Sequence, residues 1–341
     1  MLTWLLGLAV SGMIQPSPGG QEELPRYRVE LQRKLQPLVC SGREPSPRQI
    51  MAAGVSDASL RVARLDAAQS QRLTPDRMLK AGRRLARKHN HLGFVTGRCR
   101  DGSRWAVTTP APAGIRRPGR NGLLTIDPTV LRRHCAKYRL DFAPSPGGTP
   151  RRLWSQTDDR RRNPLTDSSA MRVNTAFLGT GTVGLTCTPK VTGKDRAGPI
   201  LWNLLAIGRG PGPLPGVSLL EEGQSLERWV NYLRQATGLK PLNFTHPLPG
   251  KLAGKLAATG KVAHHQGDLQ KVRRSLRDKS GRFIGENRVK GRSPADMAWL
   301  LWHSPRHRAL LLSDKATHLG LHQRRLSDQR LAVLVFARLA R

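Results

Sequence analysis

Aromatic residues are scarce in this chain: Trp, Phe and Tyr together make up 5% of 341 residues. Any core must therefore be filled by Leu, Ala and Val. Acid is scarce relative to base, with 23 Asp and Glu against 58 Lys and Arg and a net charge of +35. Long hydrophobic runs are missing too. The longest, Leu2 to Val10, is too short to cross a bilayer as a helix. Cysteine is limited to Cys40, Cys99, Cys135 and Cys187, none in CxxC spacing, which argues against a cysteine-built metal or redox site. Zinc-finger spacing, an RNP-like aromatic motif and a basic-zipper pattern are all absent, which excludes those nucleic-acid-binding folds.

The length allows two or three domains. An apolar fraction of 38% is low but sufficient for packed cores, and the apolar residues cluster periodically rather than thinning out. The positive charge is spread along the chain. Residues 223–341 hold 23 basic and 7 acidic residues, a net +16, and the remaining 222 residues carry +19. Such a balance is met either by a solvated Arg-rich surface or by an anionic partner: envelope polysaccharide, lipid headgroups or nucleic acid. The N-terminus MLTWLLGLAVSGMIQPSPGG has an apolar run and a small-x-small site at Ala9 and Ser11, without a basic n-region. It reads as a secretory signal peptide and linker over 1–24. Four cysteines in an exported chain permit two disulfides in any of three pairings, all in front of residue 200.

Three Pro/Gly-rich breaks divide the chain: TPAPAGIRRPGR (109–120), APSPGGTPR (143–151) and GRGPGPLPG (208–216). The last reads as an interdomain linker. Residues 25–110 form a mixed α/β region of unassigned function, with helices over 29–39 and 76–89. Two strands, HLGFVTGRC and SRWAVTT, are joined there by an Asp101-Gly102 turn. Residues 115–210 contain RVNTAFLG, TVGLTCTP and PILWNLLAIG, short runs that suggest a small β-sandwich-like module. No catalytic constellation appears in 25–215, and His89, His91 and His134 stand isolated. From about Gly223 the pattern becomes helical and then ends in strands. SLERWVNYLRQATGL presents Leu226, Trp229, Val230 and Leu233 on one face, and PLPGKLAGKLAATGKVAHH reads as a second helix that turns Leu252, Ala253, Leu256 and Ala257 inward. HLGLH and RLAVLVFAR are strand-like, so the fold class is α+β.

Within this part lies FIGENRVKGRSPADMAWLLWHSPRHR. Each Ser-Pro suits a helix start. Ser caps free N–H groups, and Pro at the next position loses only an N–H that had no partner. Ser293 and Ser304 should thus open two successive helices, the first burying Met297, Leu300 and Leu301. Asp296 falls in the first turn, where the helix dipole favours an acid. His307 lies near the start of the second helix, whose positive end favours the neutral imidazole that a metal or hydrogen-bonding ligand needs.

In order, Asn231, Arg234, Pro241-Leu242, Leu248, Ala253, Ala257, His265, Gly285-Glu286-Asn287, Ser293-Pro294 and Ser304-Pro305-Arg306-His307-Arg308 resemble the CAP superfamily. This is the SCP-like family of cysteine-rich secretory, antigen-five and pathogenesis-related proteins, here in its short bacterial form. Thr317-His318-Leu319-Gly320 resembles the family's following turn. The resemblance covers 223–341 and implies an αβα three-layer sandwich of CAP type. It also implies a cleft lined by His265, Glu286, Asp296 and His307, with His264 replacing His265 if the register slips by one. Asp296 stands where the family usually has Glu, and Leu301 where it has Trp.

Two imidazoles with a carboxylate suit zinc or another divalent cation, with His265 and His307 as ligands. The implied function is an exported bacterial protein, secreted, periplasmic or on the cell surface. It would bind an anionic envelope component, a lipid or another small molecule in the cleft, without being transmembrane. Enzymatic activity is left open. A secreted hydrolase using His265, Glu286 and His307 is one alternative, although no Ser or Cys nucleophile is placed beside a His. Nucleic-acid binding driven by net charge is the other. Asn287 is expected to bond local backbone, Arg308 to lie at the surface or in an ion pair, and His318 and His322 to be edge-exposed.

Overall fold

The structure is a computed structural model that describes residues 23–41, 45–53, 61–65, 68, 93–109, 115–116, 123–126, 131, 135–155, 171–190, 200–260, 266–326 and 329–339. The expected signal peptide up to residue 22, the helix over 76–89, His89, His91, His134, His264 and His265 lie outside the described residues. The chain divides into two compact units. One is Met1–Pro45, Ala52–Val55 and Ser59–Pro112; the other is Ser46–Met51, Ser56–Ala58 and Ala113–Arg341.

In the first unit, helix α1 (Glu23–Cys40) includes the helical stretch read from the sequence, and Leu35 and Val39 are buried on it. Strands β1 (Arg61–Leu65), β2 (Gly93–Arg98) and β3 (Arg104–Thr109) form an antiparallel sheet in the order β1-β3-β2. The β2–β3 turn falls at Asp101-Gly102 as expected. The Asp101 carboxylate accepts from the Ser103 N–H at 2.9 Å and from its hydroxyl at 2.6 Å, and Gly102 takes the left-handed φ of 82°. A Cys40–Cys99 disulfide ties the end of α1 to the end of β2.

The second unit opens with α2 (Pro47–Ala52), whose Ile50 and Met51 are buried. Two sheets follow. A small one orders β4 (Ile115–Arg116), β5 (Leu123–Ile126) and β8 (Met171–Asn174) as β4-β5-β8. The larger one comprises β6 (Cys135–Pro144), β7 (Arg151–Ser155), β9 (Gly181–Pro189) and β10 (Ile200–Ile207), in the antiparallel order β10-β9-β6-β7. Alternation sorts its side chains by face. Leu140, Phe142, Val183, Leu185, Leu205 and Ile207 build one core, closed by the Cys135–Cys187 disulfide between β6 and β9. Leu204, one position out of phase, joins a second core formed with the helices that follow.

Those helices are α3 (Val217–Glu221), α4 (Leu226–Ala236), α5 (Pro247–Ala258), α6 (Gln266–Arg277), α7 (Pro294–His303) and α8 (Pro305–Leu311). They surround the strands β11 (Gly281–Gly291), β12 (His318–Arg325) and β13 (Arg330–Leu339), antiparallel in the order β11-β13-β12. In β13 the residues 331–337 are all buried, because both faces are covered. Ala332, Leu334 and Phe336 pack with Trp229, Val230 and Leu233 of α4 and Met297, Ala298 and Leu301 of α7. Leu331, Val333, Val335, Ala337 and Leu339 pack with Leu252 and Leu256 of α5 and Val272 and Leu276 of α6. The content is mixed helix and sheet, α+β. Helix α6 was not foreseen in the sequence.

The stretch 208–216 is not a slack tether. Gly208, Gly210, Gly212 and Gly216 all adopt positive φ, Leu214 is buried, and the Trp229 indole donates to the Pro215 carbonyl at 2.9 Å. The larger sheet and the C-terminal helices also pack closely. A Cβ on Gly184 of β9 would come within 2.7 Å of the Pro305 ring at the start of α8, so glycine there permits the approach.

Candidate ligand-binding site

Most of the polar residues in the motif series bind backbone. Asn231 on α4 uses both ends of its amide on one residue, donating to the Leu242 carbonyl at 3.0 Å and accepting from the Leu242 N–H at 2.8 Å. The Arg234 side chain, buried one turn on, donates to the carbonyls of Lys240, Leu311 and Ser313, each at 2.9 Å. Together they fix the Pro241-Leu242 segment and the end of α8 to α4.

Glu286, Asn287 and Arg288 follow one another on β11, so successive side chains point to opposite faces. Asn287 lies opposite Leu334 and donates to the His307 carbonyl on α8 at 3.1 Å. This is a contact across the fold, where local backbone bonding was expected. Glu286 and Arg288 lie opposite Val335 and Val333, both in the core beneath α5 and α6. Their side chains are 2% and 0% exposed and form an ion pair, with Arg288 Nε to Glu286 Oε1 at 3.0 Å. Two groups desolvated together hold their charges only as a pair.

Ser293 caps α7 as expected, accepting from the Asp296 N–H at 3.1 Å. Ser304 occupies the equivalent position before α8, but its hydroxyl makes no capping bond. Asp296 is half-buried in the first turn of α7, and His307 is half-buried on α8. Met297 and Leu301 are buried and Leu300 is half-buried.

Arg308 departs from the surface or ion-pair role read in the sequence. It is 0% exposed, its Nε donates to the Trp302 carbonyl at 2.5 Å, its Nη1 donates to the Pro144 carbonyl at 2.5 Å, and its guanidinium lies 4.1 Å from the Trp302 ring centroid. Burial lowers its pKa from the usual guanidinium range to about 9. His303, beside it, is 1% exposed, stacks on Trp299 at 4.6 Å, and has no hydrogen-bond partner for either ring nitrogen among the described residues. Burial, aided by the Arg308 charge, pushes its pKa from 6.5 to about 3. The sequence carried no local signal for either residue.

His318 and His322 lie on the edge strand β12. His322 is exposed, whereas His318 is half-buried, stacked edge-on against His246 at 5.7 Å and bonded through Nδ1 to the Thr317 hydroxyl at 2.8 Å. Burial, followed by the nearby His246, lowers the His318 pKa.

The structure thus ties Asn287 to the backbone of His307 and turns Glu286 to the opposite face of β11. A divalent cation does not fit the described donors. Glu286 already faces the Arg288 cation, and no three His, Cys, Asp or Glu side chains gather in a metal-holding group among the described residues.

No family model matches the chain, and no curated protein matches it significantly. Among solved structures it is similar to a cysteine-rich secretory protein of Staphylococcus aureus, at 14% identity and a TM-score of 0.26. The match covers 45% of this chain and 55% of the other, so the chain spans about half of that protein's length. It is also similar to an extracellular protein of Bacillus anthracis containing an SCP domain, at 14% identity and a TM-score of 0.24. That match covers 66% of this chain and 88% of the other.

Proposed function

We propose that residues 223–341 form a CAP-type αβα sandwich in an exported bacterial protein that binds ligand rather than catalysing a reaction. In this reading His265, Asp296 and His307 border the ligand cleft, Glu286 is held out of it by its ion pair with Arg288, and the preferred occupant is an anionic or amphipathic envelope component. The observation that carries it is the buried Glu286–Arg288 pair. With Arg288 beside the carboxylate, the site does not present the bare negative charge that would recruit a metal ion. The net charge of +35 favours an anion at every approach to the protein. Two disulfides support an oxidising destination outside the cytosol. The backbone bonds of Asn231, Arg234 and Asn287 support a scaffolding role for the motif series.

The test is binding of the full chain to purified anionic envelope polymer over a salt series, alongside peptide and ester hydrolysis assays and zinc titration. The expected result is affinity that falls steeply with salt, no turnover, and no zinc site that depends on His265 or His307. Turnover abolished by His307→Ala would replace this reading with the hydrolase. A stoichiometric zinc site lost in His265→Ala/His307→Ala would restore the metal.

A further inference from the structure

At one end of the C-terminal sheet two arginines face each other without an acid. Arg282 of β11 is the direct cross-strand partner of Arg338 of β13, and both are exposed. No ion pair among the described residues joins either one to a carboxylate. Directly opposed like charges destabilise a sheet, with Cβ atoms about 4.5–5.5 Å apart.

The register that enforces the contact is tightly held. The α6–β11 turn passes through Ser280 at a left-handed φ of 54° and then Gly281, where a Cβ would come within 2.5 Å of the Leu339 side chain and 3.0 Å of the Leu276 carbonyl. Arg282 therefore cannot slide away from Arg338 without unpacking the strand start.

The opposite end of β13 repeats the arrangement. Arg325 of β12 faces Arg330, and both are exposed. Eight residues along one strand separate Arg330 from Arg338, about 26 Å at the usual rise. An even offset puts both on the same face, and the face between them is covered by α4 and α7.

We propose that the Arg282–Arg338 pair is a binding site for phosphate groups of a linear polyanion. Two guanidinium forks at this separation can bracket one tetrahedral oxyanion with charge-assisted hydrogen bonds, and its charge relieves their repulsion. A flexible chain can engage both ends of β13, whereas a flat bilayer is held off the covered face between them. The large apolar side chains exposed among the described residues, Phe177 and Tyr232, lie on other elements, so this end offers nothing to insert into a membrane. The inference rests on the anion-binding reading above and gives it a place and a ligand class.

The experiment compares the full chain, Arg282→Gln/Arg338→Gln and Lys251→Gln/Lys255→Gln, which removes the same charge from the exposed side of α5. The probes are long-chain inorganic polyphosphate and phosphatidylglycerol vesicles. Polyphosphate should bind the full chain, and the arginine double variant should bind it about tenfold more weakly, with much less loss in the lysine variant. The arginine variant should also melt higher than the full chain at low salt, with the gain fading at high salt, a readout that a disruptive substitution would not give. Equal weakening by both variants overturns the site but leaves general anion binding intact. Binding to vesicles without binding to polyphosphate overturns the polymer and points to a membrane. Failure to bind either probe overturns the inference, while the envelope-polymer assay decides the broader reading separately.

Discussion

The buried cation Arg308 shows how much one residue can carry in a protein this basic. Two backbone carbonyls and a Trp face hold it, and among the described residues no carboxylate takes part. Both carbonyl bonds leave a planar fork in fixed directions, which an ammonium cannot reproduce. Arg308→Lys should therefore cost about 2 kcal/mol in urea unfolding, while Arg306→Lys, one turn-face away and exposed, should cost little. His303 adds a pH dependence. Its folded pKa, about 3, lies below the unfolded value of 6.5. Between these limits the unfolded chain binds the extra proton, so stability falls as pH drops, by up to about 1.4 kcal/mol per pH unit. A chemical-denaturation series from pH 7 to pH 4 should show this slope, and His303→Phe should flatten it. An unchanged slope in the variant would assign the effect to carboxylates.

The two Ser-Pro steps give a comparison between elements. Ser293 bonds the Asp296 N–H, and Ser304 caps nothing with its hydroxyl. Ser293→Ala should cost about 1 kcal/mol, as N-cap losses do, and Ser304→Ala much less, read by thermal melts of the two single variants. Sequence could announce both helix starts, because Ser-Pro chemistry is local. It could not say that the second cap bond is missing, because Ser304 sits buried at a tight corner between two helices. The same division runs through the rest of the domain. Helices α4 and α5 were legible from broad apolar faces, and β12 and β13 from apolar strand patterns. Helix α6 was missed because Val272 and Leu276 form a narrow stripe in a strongly charged segment, with Asp268 near its start as the only cue. In the candidate site, the Glu286–Arg288 pair was readable in principle, since residues two apart on a strand share a face. Arg308 was not, because its partner Pro144 is 164 residues away.

At the scale of the whole molecule, charge works against compactness and covalent bonds work for it. A net +35 repels itself in the folded state, and the stabilising counterweight must come from packing and from the two disulfides. Each disulfide lies within one of the two compact units: Cys40–Cys99 in the first and Cys135–Cys187 in the second. The bridges close loops of sequence separation 59 and 52, for which chain-entropy reasoning gives about 4 kcal/mol each. Because the bridges do not link the units, their contributions should be separable. Cys135→Ala/Cys187→Ala should lower the unfolding midpoint of the second unit, followed by the fluorescence of its tryptophans. Cys40→Ala/Cys99→Ala should leave that midpoint in place and increase proteolysis within the first unit, mapped by mass spectrometry. A loss of both units' protection from either substitution would mean that the units fold as one, and the additive assignment of the two bridges would fail.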